Sequence, residues 1–538
     1  MTPDPILDIE KLRIGIPERT EIVRDVSFKV EAGKTVCLVG ESGSGKSMIA
    51  NAVMDILPSA RIRVTGGMIR FRGRQLNGLP AAAMRDLRGS KISMIFQDPM
   101  SALNPVRSIR SQFDEVFSAH AVEPLEGRRA RMLQMFDLVR LPDPPRILDS
   151  YPHQLSGGQR QRVMISFAMA LNPDLLIADE PTTALDVTTQ AQILSLIGDL
   201  QREFGTAVLF ITHDFGVVAE IADDVVVLRH GEVVERGSLP KLLRGAQDDY
   251  TRLLVAAIPG WNPRTASPST QALVAGRGLR KEFGGKVRAL DDVTIDLRAG
   301  ETLGVVGESG SGKSTFAKCL VGIEEPTGGA IEIAGEDITA LGSRARRERR
   351  RMMQVVFQDP TASLNPRHTV GRTIADAVRA AGAPANRAEE TVVTLLEDVR
   401  LDPAFARRFP HELSGGQRQR VCIARALASR PQVLIADEAL SALDVSVQRQ
   451  VLTLFRDIKA SRDLSILFIT HDLRVAAEIC DRIVVMRDGR VLAHGAPDEV
   501  LTIDPHPYVR QLLSAIPGQR WFPLGSVLTS VPAERTSS

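Results

Sequence analysis

One stretch occurs twice, and no reading of the chain as a single domain survives it. Leu-Ser-Gly-Gly-Gln-Arg-Gln-Arg-Val stands at Leu155–Val163 and returns at Leu413–Val421, 258 residues further on. The flanks extend the match: Pro152–Ile165 and Pro410–Ile423 agree at twelve of fourteen positions. A period of this length is far too long for a solenoid repeat, so it means two copies of a whole domain. With 538 residues, each copy is large enough to bury a core of its own.

Each copy opens on the same device. An apolar strand, Thr35–Val39, runs into Gly40-Glu41-Ser42-Gly43-Ser44-Gly45-Lys46-Ser47. Its counterpart, Thr302–Val306, runs into Gly307-Glu308-Ser309-Gly310-Ser311-Gly312-Lys313-Ser314, followed by Thr315. Both fit the phosphate-binding loop GxxxxGK[ST], with the strand before it and the helical pattern after it that the motif requires. The glycines let successive backbone N–H groups curl around phosphate oxygens, and the helix that follows points its positive end at them. Lys46 and Lys313 are placed to reach the β- and γ-phosphates, and Ser47 and Ser314 to hold Mg²⁺.

The remaining signals follow in the same order twice. Short apolar strands at Ile92–Phe96 and Met353–Phe357 end in Gln97-Asp-Pro and Gln358-Asp-Pro. A charged, helical stretch broken at Pro124, Pro142 and Pro384 leads to the repeated glycine-rich segment, where Ser156 and Ser414 read as helix N-caps. That is a second anion-seeking helix start, beside Gly158 and Gly416. Next, Leu175–Glu180 and Val433–Glu438 are apolar runs ending in two carboxylates, which need charge partners if buried. Mg²⁺ supplies one to Asp179 and Asp437, leaving Glu180 and Glu438 to orient and deprotonate a water. Ala184-Leu185-Asp186 and Ala442-Leu443-Asp444 come at once, and the later strands Val208–Thr212 and Ile466–Thr470 end in His213 and His471, where a γ-phosphate contact is expected.

Composition narrows the rest. A formal charge of +2 with 25% charged residues gives no field that marks a nucleic-acid binder. The dense basic run Arg344–Arg351 reads as a solvated helical face. Four scattered cysteines form no CxxC pair, which fits a reducing compartment. The first residues lack a basic and an apolar segment, so no signal peptide is expected, and no apolar run reaches the length of a membrane span. Each copy closes on a related segment, Tyr250-Thr-Arg to Ile258-Pro and Tyr508-Val-Arg to Ile516-Pro. The expected boundaries are a first domain at 1–258, a Pro/Ser/Thr-rich linker at 259–272, a second domain at 273–516 and a tail at 517–538.

The ordered set (phosphate loop, Gln, LSGGQ, Asp-Glu, Ala-Leu-Asp, His), present twice, resembles the ATP-binding subunits of ABC transporters over nearly the whole chain. The finer marks Gly-Glu-Ser-Gly-Ser-Gly-Lys-Ser, Gln-Asp-Pro with Leu-Asn-Pro, and Tyr-x-Arg with Ile-Pro look like the dipeptide/oligopeptide/nickel importer group, here fused in tandem. The resemblance implies an α/β fold: two P-loop NTPase domains, each with a largely parallel core sheet, an antiparallel β part and a helical subdomain. It implies two ATP molecules with Mg²⁺ between domains that pair within the chain. One site would join Lys46, Ser47, Gln97, Asp179, Glu180 and His213 to Ser414 and Gly416, the other Lys313, Ser314, Gln358, Asp437, Glu438 and His471 to Ser156 and Gly158. Ser47, Gln97 and Asp179, with Ser314, Gln358 and Asp437, would be the metal ligands. Phe283 would stack on adenine, and its ungapped counterpart is Ile16.

Implied partners are two integral-membrane permease subunits and an extracytoplasmic solute-binding protein, with no nucleic acid, the chain lying at the cytoplasmic face of the bacterial inner membrane. Members often carry a cysteine-rich, cluster-binding segment after the last Ile-Pro; with no cysteine beyond Cys480, no iron–sulfur cluster is expected. Two alternatives differ in class or cargo. Ribosome-bound tandem ATPases join their domains by a long charged helix, whereas Pro259–Ala272 is short and uncharged apart from Arg264. Sugar importers of tandem build degrade one site, whereas both copies here keep Lys, Asp, Glu and His. Nickel, an opine or a glutathione-like peptide stay open as cargo.

Overall fold

The computed structural model describes residues 4–120, 125–183, 185–256, 258, 271–285, 287–384, 387–440, 443–503 and 505–522. The expected linker, apart from its last two residues, and the tail beyond 522 lie outside the described residues. The chain divides into two compact units, one built almost wholly from residues up to Ile258 and the other from those beyond it.

The first unit begins with strands β1 (Leu7–Ile16) and β2 (Thr20–Val30), which pair antiparallel with Ile16 opposite Thr20 across the turn at Pro17. Their alternating buried and open positions give one face to the core, which includes Leu7, Ile9, Leu12, Ile14, Val23 and Val26. Strand β3 (Thr35–Val39) is different: all five residues are buried, as a strand covered on both faces must be. Strands β4 (Arg63–Phe71) and β5 (Arg74–Gln75) complete a four-stranded sheet in the order β2-β1-β4-β5. The core sheet takes β6 (Ile92–Ile95), β7 (Leu175–Asp179), β8 (Ala207–Thr212), β9 (Asp224–Arg229) and β10 (Glu232–Ser238), in the order β10-β9-β3-β8-β7-β6. Its pairs are parallel except β9 with β10. The order leaves the chain returning to each side of β3, which places the loop after β3 at a switch point where α/β sheets bind ligands. Helices Ile109–Ala119, Leu125–Leu138 and Pro144–Asp149 precede the helix Gly157–Met169, and Phe113, Phe117, Phe136 and Phe167 pack among them.

The second unit repeats this. Strands β11 (Ala272–Phe283), β12 (Val287–Arg298), β14 (Gly328–Ile333) and β15 (Glu336–Asp337) form the antiparallel sheet. The core sheet runs β16 (Met353–Val356), β17 (Val433–Asp437), β18 (Ser465–Thr470), β13 (Thr302–Val306), β19 (Arg482–Arg487) and β20 (Arg490–Gly495) in that order, the same sequence of neighbours as in the first unit. Among the described residues no helix is long and apolar enough to cross a membrane.

Candidate functional site

In both units the glycine-rich loop joins the central strand to a helix, Lys46–Val53 or Lys313–Val321. Gly45 and Gly312, the residues before these helices, hold φ of 100° and 101°, a conformation that a Cβ would strain. Ser42, Gly43, Ser309 and Gly310 are the exposed crest of each loop, and Thr315 follows half-buried. Lys46 is 5% exposed, and its ammonium donates to the carbonyls of Gly40 (2.6 Å) and Glu41 (2.8 Å). Lys313 does the same to Gly307 (2.8 Å) and Glu308 (2.7 Å). Burial lowers the Lys313 pKa, while Glu438 and Asp437 pull it back up. A buried ammonium held by carbonyl and hydroxyl oxygens of its own loop is primed to exchange them for phosphate oxygens.

The acidic strand ends face the same loops. Ser47 Oγ donates to Asp179 Oδ1 (3.0 Å), and Ser314 Oγ to Asp437 Oδ1 (2.8 Å). Burial pushes both aspartate pKa values up, the serine hydrogen bonds pulling against it. A hydroxyl and a buried carboxylate, hard oxygens in contact, fit Mg²⁺ held otherwise by water and phosphate rather than by a protein cage. No group of three or more His, Cys, Asp and Glu suited to a metal is found among the described residues.

Glu180 lies just beyond β7, at φ 45°, and Glu438 just beyond β17, at φ 47°. The strands therefore stop at the aspartates, and each glutamate turns out of the sheet in left-handed backbone. Gln97 Nε2 donates to Glu180 Oε2 (3.0 Å) and Gln358 Nε2 to Glu438 Oε2 (2.7 Å). His213 Nδ1 stands 3.1 Å from Glu180 Oε1, and His471 Nδ1 3.7 Å from Glu438 Oε1. Burial raises both glutamate pKa values, but hydrogen bonding and charge from the histidines outweigh it and leave them below the usual range. Sequence reasoning missed Thr183, whose hydroxyl donates to Glu180 Oε2 (3.1 Å). The second copy has Ser441 at the same place, so the repeat did carry a hydroxyl there; Ser441 lies outside the described residues. Ala184 and Ala442 lie outside the described residues.

Ser156 and Gly158 stand at the start of the helix Gly157–Met169, and Ser414 and Gly416 at that of Gly415–Leu427. Each serine accepts from the N–H three residues on (3.3 Å), and the glutamine there accepts in return from the serine N–H. This reciprocal cap leaves the remaining N–H groups of each first turn directed outward. Phe283 ends β11, 40% exposed, with Lys281 Nζ 4.9 Å from its ring centroid; Ile16 ends β1 in the same register.

A loop of N–H donors with a buried lysine, a Ser–Asp pair suited to Mg²⁺, and a carboxylate held ionised beside them, all present twice, define a P-loop ATPase built in tandem. The family model described as "ABC transporter" matches residues 23–183 and 290–441. The chain is 43% identical over 526 residues to the peptidoglycan transport ATP-binding protein YejF of Agrobacterium fabrum, covering 95% of this chain and 96% of that one. It is 44% identical over 542 residues to the glutathione import ATP-binding protein GsiA of Pectobacterium atrosepticum, covering 93% and 87%. Among solved structures, cbiO1 from Clostridium perfringens, part of the ABC transporter complex cbiONQ, aligns over 43% of this chain and 90% of its own at 27% identity and a TM-score of 0.40. The chain belongs to the ABC transporter family of ATP-binding proteins, and it is an ATPase.

Proposed function

We propose that this chain is the ATP-hydrolysing motor of an importer for short peptides, working at the cytoplasmic face of the inner membrane on two permease subunits fed by an extracytoplasmic solute-binding protein. The observation that carries the motor reading is the duplication of a complete set: loop lysine, Ser–Asp pair, Gln-bound and His-bound glutamate. The import reading draws support from relatives named for glutathione import and peptidoglycan transport, both cargoes that contain short peptides. Ser156 with Gly158, and Ser414 with Gly416, would present the N–H groups of their capped helix starts to nucleotide phosphate.

Lys46 and Lys313 would neutralise the β/γ-phosphates, and the loop N–H groups and helix ends would orient them. Ser47 with Asp179, and Ser314 with Asp437, would hold Mg²⁺, assisted by Gln97 and Gln358. That ion supplies charge neutralisation on the phosphate oxygens. Glu180 and Glu438 would accept the proton of the attacking water, with His213 and His471 steadying them. Growth of a deletion strain on a di- or oligopeptide as sole nitrogen source tests the cargo. Loss of growth restored by the gene supports peptide import; intact peptide uptake with lost uptake of nickel, an opine or a sugar reassigns the cargo.

A further inference from the structure

The closing segments repeat too, Tyr250–Gly260 and Tyr508–Gly518 agreeing at seven of eleven positions, yet nothing in the chemistry above uses them. The structure shows where they go. Tyr250, on the helix Asp249–Ala256, is 5% exposed, and its hydroxyl accepts the backbone N–H of Glu41 (3.0 Å). Tyr508, on the helix Pro507–Ser514, is 3% exposed and accepts the N–H of Glu308 (3.4 Å). Glu41 and Glu308 are the second residues of the phosphate loops. The two contacts join residues 209 and 200 positions apart along the chain and arise independently in each unit.

The surroundings make the contact specific. The guanidinium of Arg229 lies over the Tyr250 ring, 4.8 Å from its centroid, and that of Arg487 over the Tyr508 ring at 4.7 Å. Each arginine ends a strand, β9 or β19, whose preceding residue touches the loop. A Cβ on Gly40 would lie 2.2 Å from the Leu228 carbonyl oxygen, and one on Gly307 2.2 Å from that of Met486. Loop entrance, strand end and closing helix therefore meet at one point in each unit. Burial pushes the Tyr508 hydroxyl up to about 12, so it stays protonated and uncharged at neutral pH.

We propose that Tyr250 and Tyr508 are positioning residues for the phosphate loops, holding the Gly-Glu peptide at each entrance so that the donors beyond it stay aimed at nucleotide phosphates. The lysine contacts give the reason. In the present structure that peptide is held from both sides: its Gly40 carbonyl accepts from Lys46, and its Glu41 N–H donates to Tyr250. When phosphate recruits the ammonium, the carbonyl side is released, and the tyrosine hydroxyl still holds the other. Packing alone does not explain the residue type, because a phenylalanine would fill the same space under the arginine. A buried hydroxyl is retained where it has a partner to satisfy.

This inference rests on the loops being nucleotide sites, so the experiment carries a control for that reading. MgADP binding to the full chain is measured by calorimetry for wild type, Tyr250→Phe, Tyr508→Phe, the double variant, and Lys46→Ala with Lys313→Ala. The ring and its arginine contact survive in the phenylalanine variants, and only the hydrogen bond is lost. The double variant is expected to bind MgADP roughly 2- to 10-fold more weakly, the worth of one net hydrogen bond. Each single variant should weaken one class of site only. In the ATPase assay KM should rise while kcat stays within twofold, since neither tyrosine touches Glu180 or Glu438. A double variant that melts lower but binds as wild type, or that fails to fold, makes the hydroxyls structural and overturns the proposal. If the lysine pair binds as wild type, the nucleotide-site reading itself falls; if it loses binding while the tyrosine pair does not, the clamp alone falls.

Discussion

Glu180 and Glu438 occupy left-handed backbone that costs a non-glycine residue on the order of 1–3 kcal/mol. In each unit the N–H of the strained glutamate still donates to a neighbouring strand, at Ile211 or Ile469 (3.0 Å), and its carboxylate is held by Gln and His. Strain kept twice in the same place marks a group aimed rather than merely buried. Replacing both with Gln is expected to lower kcat by ~10²-fold or more, the usual share of a general base, with MgATP affinity kept within a few-fold. Single-turnover rates beside equilibrium binding check this, and an unchanged rate for Glu180→Gln alone would make the first site regulatory. Asp179 gives the opposite balance: its buried charge opposes folding until a cation meets it. Asp179→Asn should therefore raise the metal-free Tm by about 2–4 °C, as ~1 kcal/mol does at this domain size, while abolishing the Mg²⁺ dependence of nucleotide binding. Calorimetric melts with and without Mg²⁺ decide it. These residues were legible because fixed spacing between strand end and loop identifies them. The loop contacts of the two tyrosines were not, since a hydrogen bond made across 200 or more residues leaves no local spacing to read; Thr183, three residues from Glu180, was missed although Ser441 keeps a hydroxyl at the same place in the second copy.

At the scale of elements, the strands around the loops were legible from apolar runs, and their ends were less so. The expected strand Ile92–Phe96 stops at Ile95, opposite Ala178, and Phe96 is 40% exposed. Its one partner, β7, runs a single residue further, to Asp179, before the chain turns at Glu180. The helix starts at Ser156 and Ser414 were legible because a cap is a local interaction. Those serines also allow cap and ligand roles to be separated. Serine to alanine at an N-cap costs ~1 kcal/mol, serine to glycine only a few tenths. If the hydroxyls only cap, Ser156→Gly and Ser414→Gly should hydrolyse ATP normally. The expected outcome is that both glycine and alanine variants lose about tenfold or more in ATPase rate, while the Tm falls measurably only for alanine. Normal rates in the glycine variants would confine these residues to helix capping.

Across the whole molecule, duplication makes the differences between copies more informative than the likenesses. Both copies keep the lysine, the Ser–Asp pair, the glutamate with its Gln and His, and the tyrosine on the loop. The antiparallel sheets also match, down to a hairpin strand that ends four residues before its partner begins, at Ile16 with Thr20 and at Phe283 with Val287. On that shared frame one copy carries an aromatic ring and the other an isoleucine. Stacking a base on an aromatic is worth roughly 1–3 kcal/mol, and isoleucine recovers part of it by burying apolar area. The site built on Lys46 should bind ATP several-fold more weakly than the site built on Lys313. Titration of the full chain with MgATP should then resolve two classes of site. Phe283→Ile should merge them at the weaker affinity and Ile16→Phe at the tighter one. A single class in the unmodified chain, or a Phe283→Ile variant that binds as wild type, would place the ring in the packing of its sheet and leave adenine to other contacts.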